Sequence, residues 1–240
     1  MNRAMFAAAS GMAAQQQTLD VVANNLANAD VAGFKSAQAT FGAIAGEGLL
    51  GTAETGVRTL FEQGKLMKTG GPFDVAIDGA GFFVVERDGE RAYTRAGSFS
   101  RAPDGALRDP DGWELRGLRV PADALDVAVA PDGRVSVAGP AHAGRELGRI
   151  ALAAFPAPER LRPIGSALFV PTRDSGSAQA LAAGGERGPK LAFGMLEKSN
   201  VSIIESMMAI LAAQRAYEAN AKGVQAADEM LRIANNIHRS

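Results

Sequence analysis

Large apolar residues recur every seven positions near the C-terminal end of this chain: Ile203, Ile210, Tyr217, Val224 and Leu231. No proline and one glycine, Gly223, interrupt the stretch. A repeat held over four steps predicts a long helix with a narrow coiled-coil seam. Three positions beyond each seam residue stand Ser206, Ala213, Asn220, Ala227 and Ala234, a flank that is almost entirely small. A helix so lined can approach a partner closely but buries little area in doing so. Ser202-Ile203-Ile204-Glu205 has the form of a capping box, which sets the start of the helix at Ser202.

The same spacing returns at the other end of the chain. Met5, Met12, Leu19 and Leu26 are seven apart, with Ala8, Gln15, Val22 and Ala29 three positions beyond each. This second helix stops in a run containing Asn24, Asn25, Asn28 and Gly33, residue types that tolerate the left-handed conformation of a helix end. Asn28 reads first as a terminator. Asn24 and Asn28, one turn apart on one face, could instead hydrogen-bond to neighbouring chains. The glutamines that follow the apolar start Met5-Phe6-Ala7-Ala8-Ala9 continue the helical pattern, so this end reads as mature protein, not as a removed leader.

Between the helices the period changes. Residues 34–67 carry six glycines and read as a linker or extended arm. From Asp74 onward, short apolar runs alternate with Asp-Gly pairs at Asp78, Asp88, Asp104, Asp111 and Asp132. Asp-Gly favours tight hairpins because both central residues take positive φ. The middle is therefore an all-β domain of roughly 120 residues, an ordinary single-domain size. The run Phe193-Gly194-Met195-Leu196 is placed to pair with the arm near Leu66. The expected class is α+β: a discontinuous coiled-coil assembly domain of terminal helices (1–32 and 200–240), an arm (33–67 and 190–199), and an inserted all-β domain (68–189).

Composition narrows the function. The 240 residues carry a formal charge of −1, which lacks the basic excess of a nucleic-acid binder. There are no cysteines, so thiol catalysis, thiolate metal sites and disulfides fall together. His142 and His238 are too far apart for a local metal motif. No apolar run is long enough for a membrane helix. Gly64-Lys65 has Leu66 where a phosphate loop needs Ser or Thr, and Gly79-Ala80-Gly81 lacks the third glycine of a dinucleotide fingerprint. The loop from Asp109 ends its twelfth position on Val120, where a calcium loop needs a bidentate glutamate. The expectation is a non-enzyme with no catalytic residues, no cofactor and no metal. Two terminal helices with small flanks need more neighbours than one chain supplies, and head-to-tail packing through them would give a ring or a helical filament. A ligand- or peptidoglycan-binding β module dimerised by its helices is the competing class.

Three blocks then resemble a known family. Ala23-Asn24-Asn25-Leu26-Ala27-Asn28 followed by Gly33-Phe34-Lys35 is similar to the N-terminal signature of the bacterial flagellar rod and hook proteins. Asp74 to Phe83 and Tyr93 to Phe99 resemble the β-domain signature of the rod members. Ser199-Asn200-Val201 and Gln214-Arg215-Ala216-Tyr217-Glu218-Ala219-Asn220 resemble their C-terminal signature. The resemblance implies a subunit of the torque-transmitting axial rod of the basal body, exported uncleaved by the flagellar type III apparatus and polymerised helically in the periplasm. The partners it implies are further copies, other rod and hook members, and the export apparatus, with the terminal helices forming an inner tube. The residues expected at the assembly interface are Met5, Met12, Leu19, Asn24, Asn25, Leu26, Asn28, Ile203, Ile210, Ala213, Gln214, Arg215, Tyr217, Asn220, Val224 and Leu231. The short segment from Lys35 to Gln63 favours the proximal-rod branch, FlgF, over the distal-rod branch, FlgG.

Overall fold

The computed structural model describes residues 3–46, 49–124, 126–139, 144–185 and 188–237; His142 and His238 lie outside them. Helix α1 (Arg3–Ala27) and helix α2 (Ile203–Ile237) stand towards the two ends, with strands between them and, among the described residues, one 3-10 turn at Pro158–Arg160. The class is α+β with a β region inserted between terminal helices, as the two hydrophobic periods predict. The chain divides into two compact units, residues 1–28, 37–60 and 201–240 in one, residues 29–36 and 61–200 in the other.

In the first unit α1 packs against α2 and also against an antiparallel hairpin, Ala37–Gly46 with Leu49–Thr59. The glycine-rich stretch that reads as an arm thus forms two long strands. Most α1 positions with described side chains are partly buried, in keeping with a helix that has neighbours on two sides. Ser202 Oγ accepts a hydrogen bond from the Glu205 N–H at 3.3 Å, and Ser202 O accepts one from Ser206 N–H, so the capping residue works at the start of α2. At 35 residues α2 is ten longer than α1, about 15 Å of additional helix.

The second unit is built on strand Phe82–Arg87, which pairs with Glu90–Thr94 on one side and Glu114–Arg119 on the other. Both faces of this strand are buried. Phe83 and Val85 enter one apolar cluster with Ile77, Trp113, Val120 and Val135, while Phe82 and Val84 enter a second with Tyr93, Phe155 and Phe169. Alternation thus assigns one strand's residues to two cores. Strand Met195–Glu197 pairs with Leu66–Lys68, the partner proposed for it from sequence.

The Asp-Gly turns differ from the simple hairpin expectation. Only Asp88-Gly89 has positive φ at both residues, 52° and 83°. At Asp104, Asp111 and Asp132 the glycine alone is left-handed. Each of these three is preceded by proline, and each makes the same bonds. Gly105 N–H donates to Ala102 O, Gly112 N–H to Asp109 O, and Gly133 N–H to Ala130 O, at 2.9–3.1 Å. Proline fixes the first central residue near −65°, which selects a type I turn followed by one left-handed glycine.

Candidate functional site

α2 presents two apolar faces, and the one against α1 is the small one. Ala213 and Ala227 are buried, with Ile210, Asn220 and Val224 half-buried beside them. The approach is close: a Cβ added at Gly11 of α1 would lie 2.9 Å from Asn220 Nδ2. The large residues Ile203, Tyr217 and Leu231 are instead exposed. Within the chain the small flank, rather than these heptad residues, therefore meets α1, and the exposure of Ile203, Tyr217 and Leu231 leaves them open to a neighbouring copy. Small side chains let the backbones approach, and that approach turns the large ones outward.

The opposite face was not anticipated. Ile204, Met207, Met208 and Leu211 follow the i, i+3, i+4, i+7 rule and are 74%, 56%, 65% and 56% exposed. Four large apolar residues forming one helical stripe in solvent make a contiguous exposed apolar patch, unlike apolar residues scattered singly. The signal was available, since the same spacing can be read from the sequence beside the heptad. Gln214 and Arg215 are also exposed on this helix.

On α1, Met5, Met12, Leu19 and Leu26 are half-buried and Asn24 is exposed. Asn28 donates through Nδ2 to Asn24 O at 2.8 Å, the helix-terminating role. Asn25, expected at the assembly interface, is instead buried and used within the chain. Its Nδ2 donates to Ala37 O at 2.7 Å and its Oδ1 accepts from Ala37 N–H at 2.8 Å, so the amide mimics a strand pairing.

A third feature lies in the second unit. Lys35 Nζ meets Glu197 Oε1 at 2.6 Å, with both side chains fully shielded from solvent. The same oxygen accepts Gly64 N–H at 2.8 Å, and Glu197 O accepts Gly33 N–H at 2.7 Å. Arg95, also buried, brings its Nε within 3.5 Å of Glu197 Oε2 and donates through Nη2 to Gly79 O. Lys35 Nζ also donates to Glu62 O, Ser36 N–H to Asn200 Oδ1, and Asn200 Nδ2 to Glu62 O. Burial holds the Lys35 ammonium below the usual lysine range, opposed by attraction to and hydrogen bonding with Glu197; repulsion from Arg95 adds to the lowering. Burial likewise lowers Arg95, with Glu197 opposing. Two cations therefore share one carboxylate in a dry site.

Glycines make the approach possible. Gly33 has φ +69°, and a Cβ there would lie 2.2 Å from Ala96 N; at Gly64 it would lie 1.9 Å from Lys198 O. Sequence reading quoted Lys35 and Arg95 only as members of motif blocks and did not assign Glu197 a role. The three blocks that carry the family resemblance meet at this cluster.

An open groove of about 620 Å³ on the β unit is lined by Glu86, Glu114, Arg116, Arg119 and Arg145. Its carboxylates are already engaged, Glu86 by Arg91 and Arg116, Glu114 by Arg108 and Arg119. Among the described residues no group of three His, Cys, Asp or Glu is placed to hold a metal ion, and no helix is long and apolar enough to cross a membrane.

Three family models match the chain. They are a flagella basal body rod protein model over residues 5–35, a flagellar hook protein FlgE/F/G D1 domain over 76–137, and a flagellar basal body rod FlgEFG protein C-terminal model over 193–237. Among curated relatives, the flagellar basal-body rod protein FlgG of Borreliella burgdorferi is 39% identical over 264 aligned positions, spanning 100% of both chains. FlgG of Agrobacterium fabrum is 36% identical over 97% of this chain and 98% of its own. FlgF of Caulobacter vibrioides is 32% identical over 98% of this chain and 97% of its own.

Proposed function

This chain belongs to the flagellar basal-body rod protein family, and we propose that it is the distal-rod, FlgG-type subunit, polymerised through its terminal helices. It is a structural subunit of the flagellar rod, part of the axial structure it builds with other rod and hook proteins. The preference for FlgF, drawn from the short Lys35–Gln63 segment, gives way here. FlgG relatives align over 264 positions against a chain of 240 residues, so proteins of that branch contain residues this chain lacks. Length by itself still favours the shorter FlgF relative, which aligns over 248 positions, but the higher identity over the whole chain, 39% against 32%, supports FlgG.

The observation that carries the assembly reading is the outward stripe Ile204, Met207, Met208 and Leu211. Covering the exposed part of each would contribute on the order of 1 kcal/mol per residue. Repeated along a filament, that is a sizeable gain for every subunit added. The mechanism is rigidity: α2 is held to α1 by its small face and to a neighbouring copy by its large one. In this reading residues 1–32 and 200–240 form the assembly domain, 33–67 and 190–199 the arm, and 68–189 a β domain that braces neighbours. Export by the flagellar type III apparatus without cleavage, and a periplasmic rod, complete the proposal.

The test is Met208→Glu, at a position turned away from α1. The expected variant is a folded monomer with unchanged circular dichroism that fails to form filaments in sedimentation and fails to restore motility. Normal polymerisation would overturn the role of this face, and a bounded dimer from the unmodified chain would overturn the filament.

A further inference from the structure

We infer that the Lys35–Arg95–Glu197 cluster is a lock that closes three chain segments together or not at all, with the Glu197 carboxylate as its licence. The segments are Gly33–Ser36, Glu62–Lys65 and Glu197–Asn200, and each is bonded to both others. The first meets the second through Lys35 Nζ and Glu62 O. The first meets the third through Lys35 and Glu197, Gly33 N–H and Glu197 O, and Ser36 N–H and Asn200 Oδ1. The second meets the third through Gly64 N–H and Glu197 Oε1, Asn200 Nδ2 and Glu62 O, and Lys198 N–H and Lys65 O. No pair of segments is complete without the remaining one.

Charge supplies the cooperativity. Lys35 and Arg95 are both buried, and the carboxylate between them comes from position 197. Until that residue is delivered, docking the first segment would place two cations in a dry site with no counter-charge, which is strongly unfavourable. Among the described residues neither Arg95 Nη1 nor Glu197 Oε2 has a hydrogen-bond partner, so Arg95 is held to this carboxylate by charge, at 3.5 Å, rather than by a hydrogen bond. Residues 29–36 lead from α1 to the hairpin, and residue 200 leads into α2. The lock thus makes an ordered root for the N-terminal helix conditional on arrival of the C-terminal segment. A chain broken before Glu197 would have neither. This conclusion does not depend on the rod reading.

Native-state hydrogen exchange on the full chain tests it. In the unmodified protein the Gly33, Ser36, Gly64 and Lys198 amides should open as one unit, with one opening free energy and one denaturant dependence. Gly33 opening separately from Gly64 would overturn the lock. Glu197→Gln should raise exchange at these amides by about a hundred-fold or more while strand amides such as Val85 stay protected. Adding Lys35→Met, which removes one stranded cation, should recover part of that loss. Unchanged exchange at the four amides, or an equal loss at Val85, would overturn it as well. If Glu197→Gln fails to fold, the unmodified protein's shared opening decides alone.

Discussion

Lys35 and Glu197, 162 positions apart in sequence, meet in a fully shielded ion pair of 2.6 Å. They fix the N-terminal and C-terminal segments of the second unit to each other by charge, where elsewhere in that unit apolar packing and strand pairing do the work. Such a pair is not a large source of net stability, because desolvation consumes most of the attraction. Removing one member is costly, since the other is left buried.

The pair gives stability a pH dependence of defined sign. Burial lowers the folded-state pKa of Lys35 below its unfolded value. Between the two values the unfolded chain binds more protons, so folding stability rises with pH through that window. Lys35→Met removes the titration. Urea unfolding of both proteins across an alkaline series should show the unmodified protein gaining on the variant as pH approaches the ordinary lysine range. A gap that narrows instead would contradict the desolvated assignment.

Asp109 allows its charge to be separated from its hydrogen bonds. Its Oδ1 accepts the Asp111 and Trp113 N–H groups, and burial raises its pKa above the usual aspartate value while those two bonds pull it down. Asp109→Asn keeps an acceptor and discards the desolvated charge, so at neutral pH it should change stability by less than about 0.5 kcal/mol. Asp109→Ala strands the buried Trp113 N–H and should cost about 1–3 kcal/mol. Equal losses in the two variants would mean that the charge itself matters.

Much of this architecture was legible in the sequence, and the limits have physical causes. Asp-Gly punctuation marked the β region because turn chemistry is local, although the proline before Asp104, Asp111 and Asp132 shifted those turns to a form with one left-handed residue. The seven-residue spacing located both helices. It did not say which of two parallel rows, Ile203-Ile210-Tyr217 or Ser206-Ala213-Asn220, faces α1, since that depends on how closely the backbones approach. Asn25 was assigned to an interface because its fixed partner, Ala37, lies beyond the end of its own helix. The Lys35–Glu197 pair left no periodic trace; a single lysine and a single glutamate beside apolar residues look the same whether exposed or paired.

Two glycines should respond in opposite directions to the same substitution. Gly33→Ala forces a side chain into a left-handed residue and against the Ala96 backbone, and should cost several kcal/mol or prevent folding of the second unit. Gly223 lies within α2, is exposed, and has no atom within 4 Å of an added Cβ. Gly223→Ala should therefore stabilise the helix by about 0.8–1 kcal/mol, raising its helical signal and its resistance to proteolysis. Loss of helicity in Gly223→Ala would show that the position depends on glycine for something other than local backbone freedom.

The small face of α2 is the most direct place to test how the helices pair. Ala213 is 3% exposed on the side turned toward α1, and Ala226, on the same helix, is exposed. Leucine and alanine differ little in helix propensity, so the two Ala→Leu variants differ mainly in what the added volume meets. Ala213→Leu pushes α2 away from α1 and should cost about 1–3 kcal/mol through overpacking, while Ala226→Leu should leave the monomer within about 0.5 kcal/mol. Limited proteolysis should then cut the terminal helices of Ala213→Leu faster and leave strands such as Phe82–Arg87 intact. If Ala213→Leu were as stable as Ala226→Leu, close approach of the two helices through their small residues would be wrong, and the large residues of the heptad would have to supply the contact after all.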